Sequence, residues 1–168
     1  MEFASSGGGP LKRELTPADE ALLREATLLN LNWSGQRFSM DDVLAEPSFA
    51  HYTRLVSGRG DFGVVVEQDS RWVGVVWVLM LPATDPGYGF VAEGIGEVSV
   101  CVDERHRGRG IGRQLMMDAL AFARSRGDSR LSLSVEEGNP ARSLYSSLGF
   151  KDAGAEAIPG TMVVDLRS

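Results

Sequence analysis

The sequence predicts a mixed α/β (α+β) fold, and three observations carry that prediction. Two β-branched runs flank a short turn at Asp69 and Ser70. A strictly alternating run over residues 96–103 leads into a glycine-rich loop and then an amphipathic helical pattern. A further strand follows that helix, so the unit reads as a crossover joining two parallel neighbours.

The elements follow in order. Residues 11–15, LKREL, alternate apolar and polar side chains as a short strand does. Thr16 can cap the next segment, Pro17 suits a first helical position, and Asp19 and Glu20 suit the positive end of the helix dipole. That helix should run to about Leu31. Ser39 precedes a second short helix, MDDVLAE, stopped near Pro47. Residues 48–56 read as another helical piece and residues 58–61 as a turn. Residues 62–68, FGVVVEQ, and 71–81, RWVGVVWVLML, form a hairpin of strands. Residues 82–89 are a loop. In residues 96–103, GEVSVCVD, Val98, Val100 and Val102 point one way and Glu97, Ser99 and Cys101 the other. Leu115, Ala119, Phe122 and Ala123 mark one face of a helix. Residues 129–137 are again a strand. In NPARSLYSSLGF, Asn139 caps a helix, Pro140 opens it and Gly149 ends it. Residues 160–166 close the chain as a strand.

Bulk properties narrow the function. A chain of 168 residues reads as one domain over residues 11–168, large enough to bury a core. Residues 1–10, MEFASSGGGP, read as a flexible leader or cloning scar. No apolar run approaches ~20 residues, and no basic segment precedes an apolar one at the start. A membrane and a secretory route are therefore not expected. With Cys101 as the single cysteine, a cytoplasmic location is the default. His51 and His106 are the only histidines, and no ligand spacing calls for a metal. The net charge of −6 argues against a nucleic-acid partner and suits a cationic substrate.

The segment RHRGRGIGRQL, residues 105–115, is an anion cradle by its context. The first amides of a helix lack internal partners, and glycine lets backbone approach a phosphate. A mononucleotide loop needs Lys-Ser/Thr after its last glycine, but Arg113 and Gln114 follow Gly112. A dinucleotide fingerprint needs G-x-G-x-x-G, but Gly108, Gly110 and Gly112 give G-x-G-x-G. A plain glycine-rich turn is the bland alternative.

The remaining pattern is Arg107-x-x-Gly110-x-Gly112. Together with Asn139, Ala141 one place early, Tyr145, Gly149 and Phe150, it resembles the GNAT superfamily of N-acetyltransferases. The motif-level likeness spans residues 97–150; earlier residues match in element order alone. The resemblance implies a GNAT-type fold with a central mixed sheet of about seven strands and flanking helices. It implies acetyl-coenzyme A as co-substrate and a ternary complex in which an amine attacks the thioester directly. Backbone groups of Val100, Cys101 and Val102 would hold the pantetheine and the oxyanion. Arg107, Gly108, Arg109, Gly110, Ile111, Gly112 and Arg113 would cradle the pyrophosphate, with Asn139 and Tyr145 also touching the coenzyme. Arg105 and His106 add to the local positive charge.

Tyr145 is the implied acid, protonated at neutral pH, with core packing as the alternative reading. Glu97 leads as base, Glu93 is second, and water alone is a third option. Cys101 reads as a small buried thiol rather than a nucleophile. Trp33, Phe38, Tyr88 and Phe90 are candidates for an acceptor pocket, and Asp85 or Glu93 for meeting a cation. The acceptor is a small-molecule amine or a peptide N-terminus, and the resemblance admits a homodimer. The competing function is a non-catalytic acyl-coenzyme A sensor on the same fold.

Overall fold

A computed structural model describes residues 9–167. The leader reading of residues 1–10 therefore falls mostly outside the described residues. Seven strands form one sheet: β1 (Leu11–Glu14), β2 (Phe62–Gln68), β3 (Arg71–Leu79), β4 (Gly96–Val102), β5 (Arg130–Ser134), β6 (Lys151–Asp152) and β7 (Thr161–Asp165). Their spatial order is β1-β2-β3-β4-β5-β7-β6. β1 through β4 pair antiparallel, β4 and β5 pair parallel, and β7 pairs antiparallel with both β5 and β6. The β2–β3 turn places Asp69 and Ser70 both at positive φ, 53° and 63°, as a tight hairpin requires.

Five helices pack around the sheet: α1 (Glu20–Leu31), α2 (Met40–Ala45), α3 (Pro47–Ala50), α4 (Ile111–Ser125) and α5 (Ala141–Ser147). Thr16 opens a 3₁₀ turn at Pro17–Asp19 before α1, and its capping box with Asp19 satisfies two amides. Ser39 and Asp42 form the same box before α2.

Period-two alternation sends side chains to two separate cores. Val64, Val66, Val76, Val78 and Val98 meet Leu115, Met116, Ala119 and Leu120 of α4. Val65, Val75, Trp77, Leu79 and Cys101 meet Leu15 and Leu23 and Ala26 of α1 on the other face. Both faces of the central strands are thus covered. Among the described residues, no helix is long and apolar enough to cross a membrane.

Several boundaries differ from the sequence reading. The 129–137 strand is shorter, Arg130–Ser134; Val135 still donates to Gly160 O in the same register, and the chain then turns through Gly138 at φ 84°. The 48–56 helical piece becomes α3 and a 3₁₀ turn at His51–Thr53. β6 has two residues and no periodic signal.

Candidate active site

The site begins where the sheet divides. β4 and β5 share only two positions, Gly96 with Leu131 and Glu97 with Ser132. Beyond them β5 keeps its pairing with β7, while β4 stays on β3 as far as Val102. The strands separate into a wedge with Glu97 at its apex. Asp103 donates its amide to Val73 O at 2.8 Å across β3. Backbone direction alternates along a strand, so the groups of Val100 and Val102 face the gap, past the last β5 pairing at Glu97. Arg107 Nε approaches Val102 O there at 3.4 Å. The backbone of Cys101 faces β3, opposite Val75, so its side chain alone reaches the cavity wall.

A cavity of about 640 Å³ passes through this gap. Arg107, Gly112, Asn139, Leu144 and Tyr145 line one end, and Glu97, Ser99 and Tyr52 line it beyond the wedge. Glu97 lies on the α1 face of β4, whereas Tyr145 packs with the α4 core. The two groups therefore reach one cavity from opposite faces of the sheet.

Glu97 is only 5% exposed, so it is not an ordinary surface glutamate of an amphipathic strand. Tyr52 donates its hydroxyl to Glu97 Oε2 at 2.5 Å, and Gly89 N–H donates to Oε1 at 3.1 Å. The Tyr52 oxygen in turn accepts from Tyr88 N–H at 2.8 Å. Burial pushes the Glu97 carboxyl up to about 7, and the two donors hold it from rising further. Burial and the neighbouring carboxylate raise the Tyr52 phenol. Gly87 and Gly89 are needed for this approach. A Cβ on Gly87 would collide with the Glu97 carboxylate, and one on Gly89 with the Leu133 backbone.

Tyr145 lines the cavity and packs edge-on against Phe150, with centroids 6.3 Å apart. Burial pushes its phenol up to about 12. The Cys101 thiol is likewise pushed up to about 12 by burial, so it is protonated and a weak nucleophile at neutral pH. Asn139 lines the cavity while its Oδ1 accepts from Ala141 N–H at 3.0 Å, the helix-capping role.

The glycine loop is exposed at Gly108, Arg109 and Gly110 and turns at φ 77° and 81° at the two glycines. Gly110 is the residue before α4 and supplies no side-chain cap. The amides of Ile111, Gly112 and Arg113 therefore have no acceptor from a cap. Gly112 touches the cavity and abuts Val102 and Leu144. Arg113 donates to Ser147 Oγ at 2.8 Å, which directs it toward α5. His106 pairs with Asp103 at 3.0 Å.

At the other end, Trp33, Phe38 and Tyr88 line the cavity, and Phe90 is not among its lining residues. Neither second-rank acid reaches it. Glu93 Oε1 accepts from Ala83 N–H at 3.0 Å, within its own loop, and Asp85 pairs with His51 Nδ1 at 2.9 Å. Sequence reading missed Tyr52, Phe49, Thr27 and the Arg37–Glu136 pair. Tyr52 sits in an aperiodic 3₁₀ turn, and its partner is 45 positions away.

The acetyltransferase (GNAT) family model matches residues 26–150. A mycothiol acetyltransferase of Thermomonospora curvata is 41% identical over 88 residues, which is 51% of this chain and 26% of that protein. The chain spans about a fifth to two fifths of the length of the curated relatives it matches. A GNAT-family acetyltransferase of Staphylococcus aureus Mu50 superposes with TM-score 0.69 at 13% identity, over 95% of this chain and 100% of that one. The PaiA N-acetyltransferase of Thermoplasma acidophilum, solved with coenzyme A, gives 0.67 at 16% identity over 94% and 99%. At such identities the structural likeness shows the fold. The family match covers the split strands, the glycine loop and the Asn139–Phe150 segment alike, and the chain belongs to the GNAT acetyltransferase family.

Proposed function

We propose that this chain is an acetyl-coenzyme A-dependent N-acetyltransferase acting on a primary amine in a ternary complex. The observation that carries the reading is the through-sheet cavity, with Glu97 on one face and Tyr145 on the other. The residues fit the co-substrate. The unpaired edge at Val100 and Val102 offers amides and carbonyls to a pantetheine arm, and the start of α4 offers amides to a pyrophosphate. Arg107 reaches the cavity and adds positive charge against a net charge of −6. Arg109 and Arg113 flank the same loop. Bound there, acetyl-coenzyme A supplies the thioester.

Glu97 takes the proton from the incoming ammonium, because only a neutral amine attacks. A carboxyl at about 7 is largely matched to that task near neutral pH. The gap-facing amides of β4 stabilise developing negative charge on the thioester oxygen. Tyr145, protonated well above neutral pH, donates to the departing sulfur. Asn139 borders the coenzyme end as a helix cap.

The test is thiol release measured with DTNB over an amine panel. Turnover dependent on both substrates supports the enzyme. Tight coenzyme A binding with no turnover for any amine favours the sensor. Tyr145→Phe should lower kcat about tenfold or more while changing the KM for acetyl-coenzyme A by less than about threefold.

A further inference from the structure

The outer end of the cavity is walled by three successive rings. Phe38 meets Phe49 edge-on at 5.1 Å, and Phe49 meets Tyr88 at 6.2 Å. Their polar neighbours are already engaged. The Tyr88 hydroxyl is 3.0 Å from Ser48 Oγ, and the Tyr52 hydroxyl is held between Glu97 and Tyr88 N–H. What the wall presents is mainly ring carbon.

Charge is equally restricted. Glu97 and Glu136 are the carboxylates lining this cavity among the described residues. Glu136 is neutralised by a two-pronged pair with Arg37, at 2.7 and 3.1 Å. The Arg37 guanidinium also donates to Leu31 O and lies 5.4 Å from the Phe38 centroid. One carboxylate, Glu97, is left for one ammonium. Inside the cavity a polyamine or aminoglycoside would bring further cations against carbon and a neutralised pair, which is unfavourable. In the open depression beyond the wall, Asp42 and Glu46 accept from helix-capping amides of Ser39 and Ser48. Deeper in, the buried Thr27 hydroxyl lines the cavity and has no hydrogen-bond partner among the described residues. It supplies a second acceptor for an N–H donor.

We propose that the acceptor is a monoamine: one primary amine on an uncharged aromatic body, with its ring against Phe38, Phe49 and Tyr88 and its nitrogen at Glu97 and Thr27. This rests on the acetyl-transfer reading above, and the experiment separates the two. Thiol release is measured with 2-phenylethylamine, propylamine and spermidine, alongside quenching of tryptophan fluorescence by each amine. The expected kcat/KM for 2-phenylethylamine is at least about tenfold above both others. Phe49→Ala should bring that ratio down toward one, and Thr27→Val should raise the KM for the amine several-fold. A preference for spermidine, or equal use of propylamine, overturns the aromatic acceptor and leaves acetyl transfer standing. If no amine turns over yet 2-phenylethylamine alone quenches saturably, the aromatic site stands and the transfer reading falls. If 2-phenylethylamine gives no turnover and no quenching, the inference is overturned.

Discussion

Burial at Glu97 acts on chemistry and stability with opposite signs. Its carboxyl titrates near 7 in the folded chain and near its ordinary 4.5 when unfolded. Between those values the native state binds the proton more tightly, so stability is fully present below about 4.5 and is lost as pH rises through about 7. The ionised side chain then costs about 3 kcal/mol at pH 8. Glu97→Gln should remove that penalty. Its amide oxygen can accept from Gly89 while its NH2 donates to the Tyr52 oxygen, at the cost of the Tyr52 hydroxyl's own acceptor, which offsets part of the gain. The variant should melt higher than the parent at pH 8, with the difference fading at pH 5, while kcat falls by roughly 10²-fold or more. Thermal melts at the two pH values and thiol-release rates check both halves; equal melting at pH 8 would contradict the buried charge. Tyr52→Phe removes a donor that lowers the Glu97 pKa. The rising limb of the pH–kcat profile should move above 7. The orphaned Tyr88 N–H should also reduce stability by about 1–3 kcal/mol, read by denaturant titration.

The helix α4 illustrates what an element contributes beyond its residues. Its apolar stripe packs one face of the sheet, and its first turn stays open at Gly110, which holds φ 81°. Gly110→Asp would force a side chain into a left-handed position and set a negative charge beside the free amides. Affinity for coenzyme A by calorimetry should fall at least tenfold, with the far-ultraviolet spectrum retained; unchanged affinity would remove the loop from the site. This element was legible because strand, glycines and helix are contiguous and periodic, and the same holds for the β2–β3 hairpin and the Thr16 cap. The wedge was not legible. It depends on where β5 leaves β4 for β7, which is a competition between distant pairings. Glu97 showed as a strand carboxylate, but its burial depends on Tyr52 and on Gly89, in elements joined only by the tertiary fold. The same reason hid the Arg37–Glu136 pair, whose partners lie 99 positions apart.

Across the whole molecule, two cores back the sheet and leave an opening between its fourth and fifth strands. A ligand that fills the opening contacts both halves in the native state alone, so it should stabilise the whole chain. Coenzyme A at a hundredfold excess over its Kd should add about 2.7 kcal/mol, a rise in Tm of roughly 5–10 °C at this size. Differential scanning calorimetry with and without coenzyme A measures it; no shift at saturation would place the coenzyme elsewhere. The short contact between β4 and β5 has one more consequence. Two shared positions cannot by themselves set the angle at which the strands diverge. That angle is held by the α4 crossover and by the five-position ladder of β5 on β7. The width of the cleft is therefore adjustable from the turn at residues 126–129 and from the β7 strand, neither of which lines the cavity. Acceptor range in this chain can drift without a single change among the residues that touch the acceptor.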